Sequence, residues 1–165
     1  MIKKFAVLLP LAVAVLGSSA AMAVDDASTT INIRADIPTK QFHAKPRDPN
    51  FGRDEVLNYN QVSGELSSLR ATFDVKNTDG SVHAYIEGGP TAAALYNGSD
   101  SISLTNTFNG IVLTGTPQEV VDDPQSTPGT QADLVITAAK PADTQSGLYT
   151  GSYAVVFDAV PRTTP

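Results

Sequence analysis

The chain has 165 residues, a formal net charge of −6 and no cysteine. The excess of acidic over basic residues, 17 against 11, argues against nucleic acid or anionic lipid as a partner, since both need clustered cations. No disulfide can form, so durability rests on packing and strand pairing, and the length suits one domain with a real core.

The first element is a leader. Lys3-Lys4 precedes an apolar run from Phe5 to Leu16, and small residues end at Ala21-Met22-Ala23. This is the layout of a secretory signal peptide over residues 1–23, cleaved between Ala23 and Val24. The run is shorter than the ~20 residues a membrane-spanning helix needs. An exported chain follows.

Residues 24–38 form an extension in which Ile31, Ile33, Ala35 and Ile37 fall on one face of an extended strand. A one-faced strand at this place either closes its own sheet or pairs with another chain's open edge, and alternation alone leaves both open. Residues 39–165 then read as a single all-β domain. Leu69, Ala71, Phe73 and Val75 alternate with polar residues, Asn77-Thr78-Asp79-Gly80 turns the chain, and Val82, Ala84 and Ile86 alternate again. That pattern predicts a β-hairpin. Thr91 to Leu95 allows one helical turn at most. Ile102 and Leu104 predict a short strand, Asn109-Gly110 a turn into Ile111-Val112-Leu113, and Leu134, Ile136 and Ala138 another strand. The last strand is predicted to carry Tyr149, Gly151, Tyr153, Val155 and Phe157 on one face. Pro/Gly/Asp-rich breaks between such strands describe an antiparallel β-sandwich.

Chemistry-bearing motifs are scarce. His43 and His83 are the only histidines, both read as solvated surface residues, so a zinc site or Cys-His nucleophile lacks material. No G-x-S-x-G elbow exists. Asp122-Asp123 lacks calcium-loop spacing and reads as a solvated loop, and Asn97-Gly98-Ser99 is a glycosylation-type triplet that a loop explains equally well. No catalytic residue, cofactor or metal is expected, and the chain does not read as an enzyme.

Several segments carry a resemblance. Thr30 to Ile37 matches an N-terminal extension of alternating β-branched residues with a central Ala. Val75-Lys76-Asn77-Thr78-Asp79 looks like a strand ending in a Thr-Asn-Asp-like turn. Asp133 to Ala139 resembles an L-V-I-x-A-A strand, and Gly147 to Tyr153 matches a closing G-x-Y-x-G-x pattern. Together they resemble the major pilins of the alpha-class chaperone–usher fimbriae, the colonisation-factor (coli surface antigen) and cable-pilus group. Residues 40–54 and the tail 158–165 depart from that likeness.

The resemblance implies an immunoglobulin-like sandwich lacking its last strand, completed by the N-terminal donor strand of a neighbouring subunit. Ile31, Ile33, Ala35 and Ile37 would be the donor face, and Tyr153, Val155 and Phe157 would line the acceptor groove. Implied partners are identical subunits, a periplasmic chaperone, an outer-membrane usher and a tip adhesin, with the fimbria outside the cell. The expected function is the major, repeating subunit of an adhesive pilus. A minor or tip-associated pilin is the alternative, and a monomeric periplasmic sandwich binding a sugar or peptide is a third reading.

Overall fold

Period-two alternation decides the architecture. Strand β4 (Leu69–Asn77) buries Ala71, Phe73, Val75 and Asn77 and turns Arg70, Thr72, Asp74 and Lys76 to the other face. Strand β5 (Gly80–Ile86) buries Val82, Ala84 and Ile86, and β7 (Asp100–Phe108) buries Ile102, Leu104, Asn106 and Phe108. Strand β10 (Thr130–Ala138) adds Ala132 and Leu134. Strands with one apolar face must cover it with one another.

The structure is a computed structural model that describes Ile31, residues 33–35 and residues 41–163. The expected leader, its cleavage point at Ala23 and Val24, and Ile37 lie outside the described residues. The chain divides into two compact units, Met1–Asp36 and Ile37–Pro165. In the first, Ile31 and Ile33 are 76% and 88% exposed.

In the second unit, one sheet runs β1 (Phe42–Pro46), β4, β10, β7 and β6 (Ala94–Asn97), with the short β8 (Ile111–Val112) also paired to β7. The other runs β11 (Val155–Pro161), β5 and β9 (Gln118–Val121), and all pairings are antiparallel. A small hairpin, β2 (Tyr59–Asn60) and β3 (Glu65–Leu66), stands apart from both sheets. The apolar rows meet between the sheets, where the Phe157 ring of β11 lies 5.5 Å from Phe73 and 4.9 Å from Phe108. This is an immunoglobulin-like antiparallel β-sandwich.

Three local expectations change. The predicted hairpin is not one: β4 and β5 lie in different sheets. The turn after Asn77 carries the chain across the core, so both apolar rows face inward. Side chains satisfy the groups that hairpin pairing would have used. Asn77 Nδ2 donates to Ser81 O at 2.7 Å, Asn77 Oδ1 accepts from Asp79 N at 3.1 Å, and the Ser126 hydroxyl donates to Gly80 O.

The closing strand begins six residues later than expected. Tyr149 to Ala154 instead cross from the β6 edge, where Thr150 bridges Tyr96, toward the second sheet. The tail also belongs to the fold: Asp158 to Pro161 pair with His83 to Gly80. Finally, Asp122 and Asp123 do not form an open loop. Asp122 caps one helical turn, α1 (Asp123–Ser126), by accepting from Gln125 N at 3.0 Å, with Pro124 in the first turn as such caps favour.

Gly151 sits where a Cβ would fall on the Ala94 carbonyl. Gly151→Ala should therefore push the 149–154 crossing off the β6 edge and lower the melting temperature by about 3–6 °C. A thermal melt of the variant checks this, and an unchanged midpoint would contradict the close approach.

The end of β11 is clasped to α1. Arg162 Nη2 lies 2.8 Å from Asp123 Oδ1, and Thr127 Oγ1 donates to the same oxygen at 2.6 Å. The Thr127 bond, then the Arg162 charge, hold the Asp123 carboxyl below its ordinary range against the desolvation that raises it. A depressed acid stabilises the fold above its unfolded value, and the contribution fades as pH falls through the folded value. The clasp is exposed and its contribution small. The stability difference between the parent chain and Asp123→Asn should be positive near neutrality and shrink as pH drops from about 5 to about 2. Urea midpoints across that range test the sign.

Candidate functional site

Strand β11 is covered on one flank only. Its residues Val155, Phe157 and Ala159 face inward opposite Ile86, Ala84 and Val82. Those three β5 partners are 0–1% exposed, whereas Val155 and Phe157 are only half-buried and Ala159 is exposed. On the outer side of β11, no strand pairs with it among the described residues.

The backbone follows the same division. Glu87 N donates to Ala154 O, and Ile86 N turns away to Thr114 O. Antiparallel ladders alternate, so Val155, Phe157 and Ala159 direct their N–H and C=O groups to the open edge. The residues whose side chains line the interior thus also offer the unpaired backbone. Pro161 shares their parity and brings no N–H to that edge, the place where a sheet tolerates proline.

The facing wall is β1, the edge of the other sheet. Phe42, Ala44 and Pro46 lie opposite Asn77, Val75 and Phe73, yet Phe42 is 45% exposed and the other two are half-buried. Arg47 N bonds Thr72 O and Thr78 N bonds Gln41 O, so the outward peptide groups of β1 belong to residues 42, 44 and 46. The short link through α1 joins β9 to β10 on the opposite flank. Each of β1 and β11 thus ends its sheet with inward side chains left partly uncovered.

Tyr153 continues the inward row at the entry of β11. Its hydroxyl donates to Asn106 Oδ1 at 2.6 Å. Burial raises its pKa above the usual phenol value, and the Asn106 bond opposes that. Asn106 is 1% exposed, and its Nδ2 has no partner.

The structure packs Tyr153, Val155 and Phe157, partly buried, against the core. It adds Ala159, Phe42, Ala44 and Pro46, which sequence reasoning missed. Ala159 was legible by continuing the alternation past Phe157 into the tail. Phe42-x-Ala44-x-Pro46 is also period-two, but Pro46 stands in a proline-rich stretch that reads as a break. Of the expected donor face, Ile31, Ile33 and Ala35 are exposed, and Ile37 lies outside the described residues.

Other candidates are structural. His43 is exposed on β1, while His83 is better covered than expected, with Nε2 3.8 Å from a Glu119 carboxylate oxygen. Asn97, the last residue of β6, donates to Ser146 O and ties that strand's end to the loop before Tyr149. No cluster of three or more His, Asp or Glu side chains converges among the described residues.

The chain is similar in structure to the CooA pilin subunit from enterotoxigenic Escherichia coli, with a TM-score of 0.46 and 17% identity over 65% of this chain and 79% of that one. No curated protein sequence matches. The sequence profile of the CS1 type fimbrial major subunit matches residues 27–158, which take in both the Ile31 segment and most of β11, and the chain belongs to that family.

Proposed function

We propose that this protein is the major structural subunit of an adhesive pilus, polymerising head-to-tail by donor-strand exchange. One observation carries the reading: the inward row of β11 is half-open beside fully buried β5 partners, and among the described residues no strand pairs with the backbone of that same row. A strand with alternating apolar side chains is the object that fills such a site, because it supplies ladder partners and side chains together. The segment 31–37 has that pattern, and its described isoleucines are exposed in the isolated chain.

In this reading residues 1–23 direct export and are removed, residues 24–38 are the donor, and residues 39–165 are the acceptor domain. Ile31, Ile33, Ala35 and Ile37 of one subunit enter the groove between β1 and β11 of the next. Three buried isoleucines contribute roughly 5–9 kcal/mol before entropy, and the backbone ladder adds to that. The contacts break only together, so the fibre is kinetically durable without a disulfide. The joint is heterologous and does not close on itself, which makes a filament. Before assembly the open edge is an aggregation hazard, so a periplasmic chaperone covers it and an outer-membrane usher exchanges it for the donor.

The test sets one face of the donor against the other. Ile33→Asp should leave export intact and abolish fibres, because a carboxylate in an apolar groove either stays charged unpaired or binds a proton, at several kcal/mol either way. Asn32→Asp should assemble normally. Electron microscopy of material sheared from the cell surface reads the result, and equal effects from the two substitutions would remove the one-face argument.

A further inference from the structure

Strand β11 offers a row of unequal sizes to whatever pairs with its outer side. Val155 and Phe157 are half-buried, Ala159 and Pro161 are exposed, and among the described residues no strand pairs beside them. The middle of the row is its bulkiest part and the least able to move, because the Phe157 ring is held 5.5 Å from Phe73 and 4.9 Å from Phe108. The row Ile31, Ile33, Ala35 and Ile37 is uneven in the opposite sense, with its one small side chain between isoleucines.

The domain itself fixes the direction in which these rows would meet. The chain enters its sandwich at Gln41, bonded to Thr78 in the turn whose Gly80 pairs with Pro161. An incoming strand with its Ile37 end at the neighbour's Pro161 would bring like ends of two domains together, and each could fill the other in a closed pair. A growing filament needs unlike ends, so Ile37 belongs at the Val155 end and the strand runs antiparallel to β11. Resting on the donor-strand reading, we propose that this strand of a second copy seats Ala35 against Phe157, which sets Ile37 beside Val155, Ile33 beside Ala159 and Ile31 beside Pro161. Val155, Phe157 and Ala159 turn their peptide groups outward, so an antiparallel strand meets each in a hydrogen-bonded pair with Cα atoms about 5.5 Å apart. Side chains directly opposite then touch, and they interdigitate when a large one faces a small one. Ala35 leaves room for the fixed ring, and Ile33 covers the exposed Ala159. A slip of two residues either way sets an isoleucine against Phe157 and Ala35 against Ala159 or Val155, an overlap and a gap at once. Pro161 has no N–H to give, so the ladder ends at Ile31.

The chain has no cysteine of its own, so introduced pairs report neighbours without interference. In fibres sheared from cells, Ile33→Cys with Ala159→Cys should link successive subunits into a covalent ladder on non-reducing electrophoresis, because opposed strand positions have the spacing a disulfide needs. Ile33→Cys with Phe157→Cys or with Pro161→Cys reports a slip, and with Val155→Cys a parallel strand. A ladder from any of these three and none from the first overturns the register while leaving exchange intact. Fibres without a ladder from any pair overturn exchange on β11, and the register with it. The size match is read without fibres, in the full chain carrying a second copy of residues 29–39 after Pro165 through a flexible linker. There Ala35→Leu in the appended copy should lower the melting temperature by about 5 °C, and by much less in a Phe157→Leu background. Equal losses in the two backgrounds, or no loss in either, would overturn the seating of Ala35 on Phe157.

Discussion

The contact of Phe157 with Phe73 and Phe108 is the constraint on which the rest of the domain depends. Among the described residues strand β11 is an edge strand with one neighbour, and these two rings in the opposite sheet anchor it across the core. Phe51, from the loop after β1, extends the aromatic group by packing edge-on to Phe73 at 6.1 Å. Aromatic pairs at such separations add about 0.5–1.5 kcal/mol each beyond the area they bury. They hold β11 in place, while among the described residues no strand pairs with its outer side.

That arrangement reconciles two demands. In the proposed exchange, a subunit must be folded enough to survive as a single chain and unfinished enough to need its neighbour. Here the centre is finished: Val75, Val82, Ile86, Phe108 and Leu113 are at most 2% exposed. On β1 and β11, by contrast, inward-facing Ala44, Val155 and Phe157 remain half-covered. The clasp of Arg162 on Asp123 and Thr127 steadies the far end of β11, and the Tyr153–Asn106 bond steadies its entry.

Much of the strand content was legible because burial on one face imposes a period of two. Leu69 to Val75, Val82 to Ile86 and Leu134 to Ala138 needed nothing more, and Asn109-Gly110 named its own turn through its positive φ angles of 51° and 79°. The helical turn at Asp123 was also readable, from a capping aspartate followed by proline. The rows proposed as donor and acceptor stand out in the sequence by alternation alone, Ile31, Ile33, Ala35 and Ile37 as plainly as Tyr153, Val155 and Phe157.

What the sequence by itself determined is therefore the set of two-faced strands, the absence of a disulfide and the composition of each apolar row. Only the tertiary structure decided which rows face one another. Asn77 to Gly80 looks like a hairpin turn from its residues, yet it joins two sheets, because local turn chemistry is the same whether the strands pair or part. The extent of β11 into the tail, the second wall at Phe42, Ala44 and Pro46, and the unpaired amide of Asn106 were likewise invisible. Each depends on what lies across the core or beside an edge, and period-two alternation records that a face is buried without recording against what.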